Sequence, residues 1–271
     1  MLPEPLPSAR DLLAFYIEAG VDCALSEVPV NRLSEVAAEE RPAERTAPRA
    51  PLQRAAPMPA PRAEIAPLPD AAIESARALA PKAASLDELR SLLEAFDGCA
   101  LKTTATKLVF ADGNPKARIM FVGEAPGRDE DIQGLPFVGR SGKLLDLMLA
   151  AIGLDRTSVY IANIVPWRPP GNRDPSPQET QMCLPFIKRQ IELVDPDVLV
   201  CLGKPSSQAV LELKDGIMKT RGRWHSYDTG KRKIRAMATF HPAFLLRQPA
   251  SKRLAWQDMR AAKKALDEAS A

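Results

Sequence analysis

The chain has 271 residues and a mass of 29.5 kDa, room for one large domain or a medium one with a tail. Its formal net charge of +3 hides a division: residues 1–90 hold 10 Lys/Arg and 14 Asp/Glu (net −4), residues 91–271 hold 27 and 20 (net +7). No apolar run is long enough to span a bilayer, no basic stretch with a cleavage site opens the chain, and 4 cysteines are too few for a disulfide framework. Membrane, exported and disulfide-stapled classes are therefore set aside, and a cytoplasmic protein with reduced thiols is expected. The basic excess of the second part raises the question of a polyanionic partner.

Within a helical segment over 1–27, residues 8–20 read as a short amphipathic helix that Ser8 caps and Gly20 stops. That helix is either a docking element for a partner or a piece packed on its own domain. From 28 to 84 the chain is rich in Ala and Pro and has neither an aromatic residue nor a regular apolar period. Such a composition buries too little apolar surface to offset the entropy of ordering, so 28–84 is predicted to be a flexible, disordered linker. The folded domain is placed at 85–271. Helices are predicted over 85–96, 141–152, 177–193, 206–213 and 251–268, and apolar strands over 117–123, 159–165, 198–203 and 234–240. This alternation predicts an α/β fold, a four-stranded parallel sheet flanked by helices on both faces. In such sheets ligands gather at the carboxyl ends of the strands.

Those ends carry polar groups. The first strand runs into Gly123-Glu124-Ala125-Pro126-Gly127, a tight loop that is either an ordinary turn or one whose amides approach a ligand. It lacks both the dinucleotide-binding glycine pattern and the lysine of a phosphate loop. The second strand ends at Asn163 and the fourth at His241-Pro242. Between Lys204 and Arg253 stand 12 Lys/Arg against 3 Asp/Glu, and amid them Leu245-Leu246-Arg247 offers an apolar tip in a cationic setting. A protein that pushes into stacked bases while neutralising phosphates needs both features.

Taken in order, Gly123-Glu-Ala-Pro-Gly, Gly134-Leu-Pro-Phe-Val-Gly-Arg-Ser-Gly142, Asn163, Arg168-Pro-Pro-Gly-Asn-Arg173 and His241-Pro-Ala-Phe-Leu-Leu-Arg247 resemble the motifs of the uracil-DNA glycosylase superfamily. The closest branch is family 4, whose members usually carry an iron–sulfur cluster. The resemblance covers roughly 86–268 and implies a DNA-repair enzyme that flips uracil from DNA and hydrolyses its N-glycosidic bond. It implies that Phe137 stacks on the base, that Asn163 reads the Watson–Crick edge, and that Glu130 stands where a thymine methyl group would go. His241 would stabilise the uracil anion, and the Glu124–Ala125 amides would hold base and water, with Glu124 the nearest carboxylate. Arg140, Ser141, Arg168 and Arg173 would contact DNA, and Leu245, Leu246 and Arg247 would form the wedge.

Of the family's four cluster cysteines, this chain keeps Cys99 and Cys183; Phe96 and Trp167 stand at the other two positions. Two thiolates do not make the usual four-thiolate site, so no metal and no cofactor are expected, with aromatic packing in the cluster's place. Cys201 reads as a core residue and Cys23 lies beyond the linker. The histidine through which the superfamily's cross-linking branch joins DNA is missing, so no covalent product is expected. Uracil-containing DNA is the expected partner of a monomer, with a repair protein docking on the N-terminal helix as a further partner. The competing readings are a catalytically idle DNA-binding or partner-recruiting protein on the same fold, and a glycosylase for another deaminated base.

Overall fold

The computed structural model describes residues 69–269; the helical segment expected at 1–27 and the linker as far as residue 68 lie outside them. The linker expectation fails over 69–84. Helix α1 spans Pro69–Leu79 and a further 3-10 turn spans Ala80–Lys82. Ala72, Ala76, Ala80 and Ala83 are at most 1% exposed, a stripe at near-helical spacing. Alanines that suggested low complexity instead form a face without bulk, and α1 lies along helix α6 (Pro177–Val194) through it. The Arg189 guanidinium of α6 donates twice to the Ala83 carbonyl, at 3.0 and 2.7 Å.

Helix α2 (Leu86–Ala95) follows, with the Ser85 hydroxyl accepting from the Glu88 amide at 3.2 Å as its cap. A short turn, α3 (Leu101–Thr104), leads to the sheet. Strands β2 (Ile119–Gly123), β3 (Tyr160–Asn163), β4 (Val198–Leu202) and β6 (Lys233–Thr239) are the four predicted ones and are mutually parallel. The sheet nevertheless has six strands and is mixed. Strand β1 (Asp112–Gly113) adds antiparallel to β3, and β5 (Trp224–Asp228) adds antiparallel to β6, giving the order β1-β3-β2-β4-β6-β5. Both additions are edges. The first is two residues long, and the second buries no residue fully, so neither makes an apolar run that a sequence would reveal.

Successive strand residues point to opposite faces, and the core divides accordingly. Met120, Val122, Ala162, Leu199 and Cys201 belong to the layer that includes Leu89 and Leu93 of α2 and Phe186, Ile187 and Ile191 of α6. Ile119, Phe121, Ile161 and Val200 belong to the other, with Leu145 and Leu149 of α5 (Arg140–Ala150) and Met259 and Ala262 of α10 (Lys252–Glu268). At the carboxyl edge, β2 leads into α4 (Arg128–Gln133), β4 into α7 (Lys204–Leu211) and β6 into α9 (Pro242–Arg247). Another short turn, α8 (Ile217–Thr220), precedes β5. Gly123 pairs with Asn163 across the β2–β3 register, which brings two of the predicted strand ends side by side. No described helix is long and apolar enough to cross a membrane.

Candidate active site

A cavity of about 630 Å³ opens at this carboxyl edge. It is lined by the loop after β2 (Glu124, Ala125, Pro126, Gly127), by Glu130, Phe137 and Ser141, by Asn163, and by His241 and Arg247. The three strand ends singled out in the sequence meet at this cavity.

Gly123 explains how closely they meet. A side chain on it would run into the Asn163 amide oxygen and the Phe137 ring, so only glycine lets the two groups converge. Asn163 is 4% exposed, and its Oδ1 is buried with no protein partner. An acceptor left unmet beside a cavity is a group that awaits a donor. Phe137, itself 4% exposed, holds a left-handed backbone with φ of 55°. Its ring centroid lies 5.4 Å from that of His241, with 34° between the planes.

His241 stands at the N-cap of α9, and its Nδ1 accepts from the Ala243 amide at 3.1 Å. With Nδ1 accepting, the proton of the neutral ring sits on Nε2. Burial, helped by the nearby positive charge of Arg247, pushes the imidazole down to about 4, so it is neutral at physiological pH and serves as a donor. Glu124 behaves oppositely. Burial and then the Asp174 carboxylate raise its pKa to about 7, so at neutrality it hovers between acid and base.

Glu130 proves to be a fastening for the loops. One oxygen accepts from Gly127 N at 3.1 Å, the other from Val138 N at 3.0 Å and Gly139 N at 2.9 Å. It ties the loop after β2 to the loop that carries Phe137 while still lining the cavity.

The expected DNA contacts are less uniform. Arg140 is exposed on the first turn of α5, and Ser141 beside it lines the cavity. Arg173 reaches the cavity but is gripped through both terminal nitrogens by Glu179, at 2.8 and 2.7 Å. Arg168 donates to Asn172 Oδ1 at 2.7 Å and lies 3.9 Å from Asp131. Leu245 departs from its expected wedge role. At 1% exposure it packs with Phe240 and Ala255, whereas Leu246 is 38% exposed and Arg247 is exposed. Adjacent residues of a helix point about 100° apart, so one leucine anchors α9 and the other faces out. The basic stretch is also partly spent inside the fold, since Arg221 pairs with Asp258, Arg232 with Asp195 and Asp197, and Arg235 with Glu268. The sequence reading missed Lys204 and Asp174, both of which line the cavity. Lys204 stands two residues past the end of β4, so the strand-end rule could have found it.

Cys99 and Cys183 are 1% and 0% exposed and adjoin each other on the far face of the sheet. The hydrogen bond between them holds Cys99 below the usual thiol range and, together with burial, pushes Cys183 well above it. At the other two expected ligand positions stand Phe96 and Trp167, 4% and 2% exposed, and the Phe96 ring meets that of Phe186 at 5.1 Å. Carbon rings and an indole N–H supply no electron pair to iron, so this donor set does not fit a four-thiolate cluster. Among the described residues no three metal-ligating side chains come together.

The chain belongs to the uracil DNA glycosylase superfamily, whose family model matches residues 110–260. More particularly, it is 44% identical over 169 residues to the type-4 uracil-DNA glycosylase of Archaeoglobus fulgidus, covering 61% of this chain and 85% of that protein. It is 42% identical over 168 residues to the type-4 enzyme of Thermotoga maritima (61% and 86%), and 39% identical over 187 residues to that of Saccharolobus solfataricus (67% and 87%).

Proposed function

We propose that the protein is a monofunctional uracil-DNA glycosylase that flips uracil out of DNA and hydrolyses the bond to deoxyribose, leaving an abasic site. The observation that carries this reading is the convergence of the Phe137 ring, the unmet Asn163 amide and the neutral His241 donor in one cavity at the strand ends. A flipped base offers a flat face for Phe137. The uracil N3–H is the donor that Asn163 Oδ1 lacks, and cytosine, whose N3 is an acceptor, leaves that oxygen unmet.

As the C1′–N1 bond breaks, its electron pair goes to uracil and the sugar becomes oxocarbenium-like. The His241 Nε2–H stabilises the negative charge gathering on the uracil oxygen, as an oxyanion hole does. Water then adds to C1′, positioned by the Glu124 carboxylate, which takes the water's proton and passes it to solvent. Arg140, Arg173 and Arg247 supply phosphate contacts, and Leu246 with Arg247 fills the gap left by the flipped nucleotide. The protein works as a monomer in the cytoplasm without an iron–sulfur cluster, its cluster position occupied by Phe96 and Trp167.

The test is a duplex oligonucleotide with a single uracil, treated with alkali to break abasic sites, run alongside an iron determination. Strand scission at uracil, none at thymine and no iron are expected. Tight binding without scission would favour the idle binding protein, and scission only at hypoxanthine or xanthine would reassign the lesion. Brown protein containing iron would overturn the apolar replacement of the cluster.

The same assay carries a pH prediction. Positioning by Glu124 needs its carboxylate form, so excision rises as pH passes upward through about 7, the value to which Glu124 is raised. Removing the Asp174 charge lowers the Glu124 pKa, so Asp174→Asn moves this acid limb to lower pH, and Glu124→Gln abolishes it. His241, at about 4, adds no limb near neutrality. A limb that stays in place in Glu124→Gln would exclude this role.

A further inference from the structure

Phe137 does a geometrically demanding job with an unfavourable backbone, because a bulky residue with φ of 55° sits outside its ordinary range. Something must hold it there. Its own loop shows one constraint, the Glu130 carboxylate on the amides of Val138 and Gly139 that follow it. The other comes from a residue 19 positions away. Arg156 lies in the connection between α5 and β3, its side chain 24% exposed. Its Nη1 donates to the Pro136 carbonyl at 3.1 Å and its Nη2 to the Phe137 carbonyl. Two acids aim the guanidinium: Asp112 of β1 binds Nη1 at 2.5 Å, and Asp146 of α5 binds Nε at 2.8 Å. The planar fork of arginine suits this arrangement, since it can face two carbonyls and two carboxylates at once. Gly142 completes the seat, because any side chain there would strike the Phe137 carbonyl.

We infer that Arg156 is a positioning residue for base excision: by gripping the carbonyls of Pro136 and Phe137 it fixes the left-handed backbone that stands the Phe137 ring beside Asn163 and His241. The inference rests on the reading that this cavity takes uracil. It assigns a task to the short β1 edge, which brings Asp112 to the guanidinium, and it links the sheet edge to the base-stacking ring.

Arg156→Gln is expected to slow single-turnover excision of uracil about tenfold or more, the scale of a misplaced group. Because the effect passes through one ring, the same change in a Phe137→Ala background should alter the rate by less than about twofold. Arg232→Gln serves as the control for stability alone. It breaks the ion pairs with Asp195 and Asp197 just before β6, away from the cavity, so it should lower the melting temperature while keeping the rate within about twofold of the parent. Amide hydrogen exchange over residues 134–139 should quicken in Arg156→Gln and not in Arg232→Gln. Equal slowing by Arg156→Gln with and without Phe137, or unchanged exchange in the loop, would overturn the inference. A parent protein that excises nothing would instead overturn the functional reading, and loop exchange would still decide whether Arg156 holds Phe137.

Discussion

Replacing His241 with alanine is expected to lower the single-turnover rate of uracil excision about 10²–10³-fold, the loss typical of one donor aimed at a developing anion. Affinity for uracil-containing DNA should change by less than about threefold, because phosphate contacts dominate that quantity. The separation follows from the geometry. The imidazole is neutral, its Nδ1 is occupied by the Ala243 amide, and its remaining N–H borders the cavity. A neutral donor interacts modestly with neutral uracil and strongly with the anion that leaves, so its contribution falls on the transition state. His241→Gln, which keeps a donor, should lie between alanine and the parent. Equal losses of binding and rate in His241→Ala would mean the ring merely packs against Phe137, and the leaving-group role would be withdrawn.

Asn163→Ala should be nearly as damaging by a different route. A hydrogen bond to an enclosed polar group carries about 1–3 kcal/mol when one partner is lost, so the Oδ1 contact to uracil N3–H is worth roughly 10- to 10²-fold in kcat/KM. Removing the amide also removes the acceptor that distinguishes uracil N3–H from cytosine N3. Excision from uracil and from cytosine should therefore converge, with the uracil rate falling toward the cytosine background. The comparison to make is kcat/KM on two duplexes that differ only at the target base. A variant that slows while keeping its full preference for uracil would place base discrimination elsewhere in the cavity.

Much of this site could be read before any coordinates. Asn163 ends a strand that is buried throughout, and His241 follows one whose last four residues are buried; polar side chains at the ends of such strands point to a ligand edge. Phe137 and Glu130 came from motif resemblance, and both line the cavity, although three backbone amides occupy Glu130 in a way no motif conveys. Arg156 and Asp174 were invisible because their significance lies in contacts with distant loops. Leu245 and Leu246 differ only in helical phase, which the packing of Phe240 and Ala255 decides. The fold shows the same boundary. Buried parallel strands announce themselves by composition; a two-residue edge, a half-exposed edge and an alanine-faced helix do not.

Phe96, Trp167 and Phe186 close the corner behind the DNA-facing loops with side chains the polypeptide already carries. Under the proposed cluster-free reading, a corner sealed this way matures as the chain folds, without a dedicated assembly system. In a cell starved of iron, such an enzyme would keep its full complement of working molecules while proteins that depend on inorganic centres dwindle. The repair of deaminated cytosine would thereby be uncoupled from mineral nutrition.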